Sequence, residues 1–234
     1  MPFLKSEAPN CDWCPHKKNC LYNFLETPEA KRAWRGMRVA SPFKEGDVIF
    51  HEGMPPPGVH VVCKGRVKVY KSTRSGQQLT TRVELAGDLL GHISLLAAEG
   101  PYTGTAEALE PTLISMVDEK IFLDFLRKFP QASLALLREL ARDVRRGENK
   151  ARDIAFKSAR SRIADSLLKT AKSKSFPLMI NIKRKDLAEM AGLTIETSVR
   201  TLRDFEVKGV IKRKEKGILV IKEEELRRLA GHVA

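Results

Sequence analysis

Three cysteines stand close together near the start of the chain, Cys11, Cys14 and Cys20, in the spacing C-x2-C-x5-C. Thiolates are the usual protein ligands of iron–sulfur clusters and frequent ligands of zinc. Three of them on one short segment can converge on a single cluster or metal. The fourth cysteine, Cys63, lies in a run with strand character. The same residues allow other chemistry. With His16 the three thiols make a Cys3His zinc set; they could also form a redox disulfide, and Cys63 could be a buried structural thiol.

A second constellation lies in the C-terminal third. Lys185 to Ala191 reads as a helix that stops at Gly192, a residue free to take the left-handed backbone of a sharp turn. Leu193 can pack between that helix and the next. Thr194 suits the N-cap of a helix running from Ile195 to Val207. This is helix-turn-helix grammar. On the second helix Glu196 and Arg200 are one turn apart and share a face. A carboxylate there can accept from cytosine N4, and a guanidinium can donate twice to guanine O6 and N7. Ile195 and Val199 lie on the same side, where thymine methyls would be met. Thr197, Lys183, Arg184, Lys212 and Arg213 are candidates for phosphate contacts, which set register without reading sequence. Val210 to Ile221, with a turn at Lys216-Gly217, reads as a hairpin or wing that would bring Lys214 and Lys216 near the phosphate backbone. The plainer alternative is a solvated Glu196–Arg200 ion pair on an ordinary helix.

The elements that must carry these residues change character along the chain. From about Val39 to Val117, turn residues recur at Glu45-Gly46-Asp47, Gly53 to Gly58, Ser75-Gly76 and Ala86-Gly87-Asp88. Short β-branched runs lie between them, which predicts an antiparallel barrel or sandwich. Past Glu119 the period becomes helical. A short helix ends before Pro130, and Leu134, Leu137, Leu140, Ala141, Val144, Ala151 and Ile154 then keep a three-to-four spacing among charged neighbours. A narrow apolar stripe of this kind predicts a dimer seam, with Leu137, Leu140, Val144, Ala151 and Ile154 at its contacts; packing on the chain's own barrel is the alternative. The expected class is α+β: a cysteine-rich segment over 1–24, an effector domain over 25–129, a dimerisation helix over 130–157 and a DNA-binding domain over 158–234.

Composition agrees with a nucleic-acid partner. The 234 residues carry a formal net charge of +13, which suits a polyanion. No apolar run approaches the ~20 residues that cross a bilayer, and the first residues lack the apolar core of a secretory signal. A cytoplasmic protein without stable disulfides and without a membrane role is expected. No nucleophile–base motif or phosphate loop points to an enzyme.

With these residues in view, the sequence resembles the CRP/FNR family of bacterial transcription regulators over essentially its whole length. Glu45-Gly46-Asp47, Lys64-Gly65-Arg66-Val67 and Leu85-Ala86-Gly87-Asp88-Leu89-Leu90-Gly91 resemble the family's glycine turns. Asp186-Leu187-Ala188, Gly192-Leu193-Thr194 and Glu196-Thr197 resemble its recognition motif. The resemblance implies an antiparallel β-roll like a cyclic-nucleotide-binding domain, a long dimerisation helix and a winged helix-turn-helix. It also implies an inverted-repeat operator in double-stranded DNA, a homodimer and RNA polymerase as a further partner. Glu196 and Arg200 become the base-reading pair. The apolar Ile195 is similar to the FNR side of the family, whereas Val199 departs from the serine usual there. Tyr102 stands where the cyclic-AMP-responsive branch has a phosphate-binding arginine, which argues against cyclic AMP. The C-x2-C-x5-C run is similar to that of the oxygen-sensing FNR type and implies a [4Fe-4S] cluster on Cys11, Cys14 and Cys20. The fourth ligand of that type falls near Ser115, which is not cysteine here. Cys63 could replace it if its strand neighbours that of Ser115, and Asp12 or His16 could also serve. Haem sensing occurs in the family too, with His51, His60 and His92 as possible axial ligands.

Overall fold

The computed structural model describes residues 9–97, 100–171, 177–215 and 217–231. Contacts divide them into two compact units, one reaching Lys71 and resuming from Thr81 to Arg146, the other holding Ser72–Thr80 and the chain from Gly147 on.

The first unit opens with two 3-10 turns, Lys17–Asn19 and Leu21–Phe24, then helix α1 (Pro28–Gly36). Thr27 caps α1 by accepting the Ala30 N–H at 3.1 Å, with Pro28 in the first turn, where its missing N–H costs nothing. Eight strands follow: β1 (Val39–Phe43), β2 (Val48–Phe50), β3 (Gly58–Lys64), β4 (Arg66–Ser72), β5 (Gln78–Leu85), β6 (Leu89–Leu90), β7 (Thr105–Ala108) and β8 (Thr112–Asp118), with helix α2 (His92–Leu96) between β6 and β7. They form two four-stranded sheets, β1-β8-β3-β6 and β2-β7-β4-β5. The β1–β8, β3–β8 and β4–β7 pairs are antiparallel. Phe50, Val62, Val67, Leu90, Tyr102 and Ile114 fill the roll. Helix α3 (Glu119–Lys128) starts where Asp118 accepts the Ile121 N–H. Leu21, Tyr22 and Leu25 share a core with Trp34, Val59 and Phe122, so the cysteine-bearing segment is packed into this unit.

Helix α4 (Pro130–Phe156) is the long helix that the apolar spacing predicts. It has two faces. Ala132, Ala135, Leu136, Glu139 and Asp143 are buried, while Leu137 and Val144 remain 61% and 62% exposed. One face of the helix packs within the chain, and Leu137 and Val144 lie on the face that is left exposed.

The second unit holds α5 (Ala159–Thr170), β9 (Leu178–Ile180), α6 (Arg184–Ala191), α7 (Ile195–Val207), β10 (Ile211–Lys214), β11 (Gly217–Val220) and α8 (Glu223–Ala230). Its three strands run in the order β10-β11-β9. Ile163, Leu167, Leu187, Leu202, Phe205 and Leu226 make its core. This is a winged helix-turn-helix. Among the described residues no helix is long and apolar enough to cross a membrane.

Candidate functional site

All four cysteines line one pocket of the first unit, with His16 and Arg38 among its other walls. Local backbone geometry brings them there. Cys11, Cys14, Lys17 and Cys20 follow successive turns, closed by Lys17 N–H to the Cys14 carbonyl at 3.2 Å and Cys20 N–H to the Lys17 carbonyl at 3.1 Å. Gly87 lets the β5–β6 turn lie against this loop: its φ is +108°, and a Cβ there would stand 2.9 Å from the Asn19 backbone. Cys63 arrives from β3. In the β3–β8 pairing Val61 faces Ser115 and Val62 faces Ile114, then the register slips so that Lys64 faces Leu113. Cys63 is the extra residue at that bulge. Its Sγ lies 3.1 Å from Ser115 Oγ. The strand adjacency on which the Cys63 assignment depended is therefore present.

Cys11, Cys20 and Cys63 are buried and Cys14 is half-buried. Burial pushes the Cys20 thiol up to about 12 and raises Cys11 as well. Burial also raises Cys63, against hydrogen bonding by Ser115 and the nearby Arg38 charge. Such thiols stay neutral on their own, and a coordinated metal is what drives a buried thiol to thiolate. The donor chemistry fits a thiolate-bound group, with three sulfurs on one loop and a fourth on the facing strand. All four cysteines are free of disulfides. Among the described residues no three His, Cys, Asp or Glu side chains are arranged so as to hold a metal ion, so the thiols share a pocket without closing on one point. Asp12 does not serve as the substitute donor suggested above: its carboxylate is taken by the Tyr22 hydroxyl and the Arg35 guanidinium.

The three histidines of the haem reading lie in unlike settings. His51 is exposed. His60 is buried 5.6 Å from the Phe50 ring, and His92 Nε2 sits 3.0 Å from Asp143 Oδ2. Tyr102 stacks on Phe50 at 3.7 Å between ring centroids, and both rings are buried in the interior of the roll.

In the second unit, α6 ends as its residues dictate. Gly192 takes φ 62° and ψ 46°, and the Leu193 N–H reaches back to the Ala188 carbonyl at 2.9 Å. That six-to-one bond closes the turn. Thr194 caps α7 by accepting the Thr197 N–H at 3.2 Å. Ser198, Thr201, Leu202 and Phe205 face the core. Ile195, Glu196, Val199 and Arg200 face solvent as one surface. Both Glu196 and Arg200 are exposed, and among the described residues no ion pair joins them.

Of the phosphate candidates, Lys183 and Lys212 are exposed, and Arg184 and Thr197 are half-buried. Arg213 differs. Its Nε is 2.5 Å from Glu206 Oε2 and its N–H donates to Oε1 at 2.8 Å, so its charge is already answered. Lys214 is exposed; Lys216 lies outside the described residues. Sequence reasoning missed two residues that hold the turn. Arg162 Nη1 donates to the Gly192 carbonyl at 3.2 Å, and Lys150 Nζ donates to the Met190 carbonyl. Cations at a helix C-terminus complement its dipole. Burial pushes Lys150 down to about 8.

Comparison with known proteins matches a domain in each unit. The cyclic nucleotide-binding domain family matches residues 41–129, and the Crp-like helix-turn-helix domain family matches residues 161–229. The chain is 30% identical over 170 residues to the Cyclic AMP receptor protein of Thermus thermophilus, covering 73% of this chain and 78% of that one. It is 24% identical over 231 residues to the Fumarate and nitrate reduction regulatory protein of Escherichia coli, covering 96% and 92%. Among solved structures, FixK2 from Bradyrhizobium japonicum shares the fold at TM-score 0.72 and 23% identity, over 84% of this chain and 99% of that one.

Proposed function

The chain belongs to the CRP/FNR family of DNA-binding transcription regulators, and from that premise we propose that it is a cytoplasmic homodimer that reads an inverted repeat and reports oxygen or redox state through a [4Fe-4S] cluster. The observation that carries the sensor reading is the convergence of Cys11, Cys14, Cys20 and Cys63 on one pocket. These four would hold the cluster, with Cys63 standing in beside Ser115. When bound, such a cluster supplies iron–sulfur bonds that oxygen attacks. The chain's own contribution is to line one pocket with the four thiols, three of them buried.

On the DNA side, Glu196 and Arg200 read base edges, Ile195 and Val199 touch thymine methyls, and Thr197, Lys183, Arg184 and Lys212 meet phosphates. Arg213 joins them by orienting Glu206 and the start of the wing. Two copies joined along Leu137, Leu140, Val144, Ala151 and Ile154 would set two recognition helices about 34 Å apart, one turn of the duplex. The exposure of Leu137 and Val144 supports that seam. The assignment divides the chain into a sensor segment (1–24), an effector roll (25–129), a dimer helix (130–157) and a DNA-binding domain (158–234), with RNA polymerase as a further partner. The stacked Tyr102 and Phe50 support an effector other than cyclic AMP.

Anaerobic purification with iron and sulfide analysis and a visible spectrum tests the sensor reading. The expected result is about four irons and four sulfides per chain and a brown colour bleached by air. A colourless protein with one zinc per chain would instead favour the Cys3His set, for which His16 is in place at the pocket.

A further inference from the structure

The thiol pocket contains a buried cation that neither the cysteine spacing nor the comparisons assign. Arg38 follows α1 and is 8% exposed. Its Nη1 lies 3.8 Å from Cys63 Sγ, and its Nη2 donates to the Pro9 carbonyl at 3.2 Å. Its Nε has no hydrogen-bond partner among the described residues. Among the described residues no carboxylate lines the pocket. The other cation on its wall, Lys17, directs its Nζ to the Asp12 carbonyl at 3.0 Å and is exposed.

An arginine stays charged at any ordinary pH, and a buried charge without a counter-charge is costly. Among the described residues that line the pocket, the groups that most readily become anionic are the thiols. Four thiolates on a dicationic iron–sulfur core leave a net charge of minus two. We propose that Arg38 is the counter-ion of this site, a positioning residue that offsets part of the negative charge of a thiolate-ligated cluster. The proposal rests on the cluster reading above. The guanidinium does not ligate the cluster. It makes retention of an anionic group in a buried pocket less costly, and it raises the tendency of that group to accept an electron.

The test compares the natural chain, Arg38→Gln and Arg38→Lys, each reconstituted anaerobically with iron and sulfide at full length. Gln keeps a donor for the Pro9 carbonyl but removes the charge; Lys keeps the charge but loses the guanidinium fork. The readouts are iron and sulfide per chain, and the midpoint potential followed by visible absorption. Arg38→Gln should hold less than half the iron of the natural chain, and what it holds should be reduced at a lower potential. Arg38→Lys should restore both. A merely structural role would not move the potential, and Lys would not rescue it. Full iron at an unchanged potential in Arg38→Gln overturns the proposal and leaves the cluster reading intact. So does an Arg38→Lys chain as deficient as Arg38→Gln. A natural chain that takes up no iron overturns the cluster reading and this proposal with it. Should Arg38→Gln fail to fold, as seen by far-UV circular dichroism, the Arg38→Lys potential decides: a value matching the natural chain supports the proposal, and a lowered one overturns it.

Discussion

Arg200→Ala isolates base reading from everything else the chain does. Arg200 is exposed on α7 and has no partner among the described residues, so its removal leaves the core and the turn untouched. A change of that kind costs within about 0.5 kcal/mol of stability. A good bidentate arginine–guanine contact contributes roughly 1–3 kcal/mol of discrimination. A dimer loses it at both half-sites, so about 2–6 kcal/mol is at stake, or roughly 30-fold to 10^4-fold in relative affinity. The quantity to measure is the ratio of affinity for the operator to affinity for random duplex, at one salt concentration. Arg200 also contributes positive charge, and taking the ratio removes the phosphate contribution that all sequences share. The ratio should fall by roughly 30-fold to 10^4-fold while the melting temperature stays constant. Equal weakening on operator and random duplex would mean that Arg200 touches phosphate and not bases. An unchanged ratio would remove it from the interface altogether.

Thr194→Ala removes the α7 cap and should cost about 1 kcal/mol in the second unit, seen as a melting point lower by several degrees; no change would mean the cap is idle. Leu137→Glu combined with Val144→Glu places charge on the uncovered stripe of α4 and should convert the protein to a monomer in sedimentation, whereas a persistent dimer would move the seam elsewhere. Burial alone lowers His60 from 6.5 to about 4. The unfolded chain therefore takes up this proton first as pH falls. The stability that neutral His60 provides is present above pH 6.5 and is lost towards pH 4, a contribution of about 3 kcal/mol. His60→Leu should flatten the urea-unfolding midpoint over that range, and an equal pH slope in both chains would place the proton elsewhere.

The legible parts of this molecule are those where local rules and burial agree. The Gly192-Leu193-Thr194 turn is written in residues that each have one job, and the structure uses them so. Helix α1 carries little signal in the sequence because only Ala30 and Trp34 of its nine residues are buried, leaving Thr27-Pro28 as its main mark. Strand β5 was hidden by its inward polar residues, Thr80 and Glu84. Glu84 is tolerated because Arg82 and Arg146 stand 3.4 and 3.2 Å from it, the second from a helix far along the chain. The thiol pocket was half legible. Spacing shows Cys11, Cys14 and Cys20 as one group, but the place of Cys63 depends on a bulge between Val62 and Lys64 and on the β3–β8 register. Nothing local announces a bulge there. Arg38 was out of reach for the same reason, since its contacts with Pro9 and Cys63 join distant parts of the chain.

The most direct measurement is a footprint of the anaerobic protein on a duplex selected from a random pool, repeated after exposure to air. Two symmetric protected half-sites, centred about 34 Å apart and lost in air, are the expected result. A single unsymmetric patch would contradict the homodimeric reader of an inverted repeat, and a footprint identical in air would contradict the sensor.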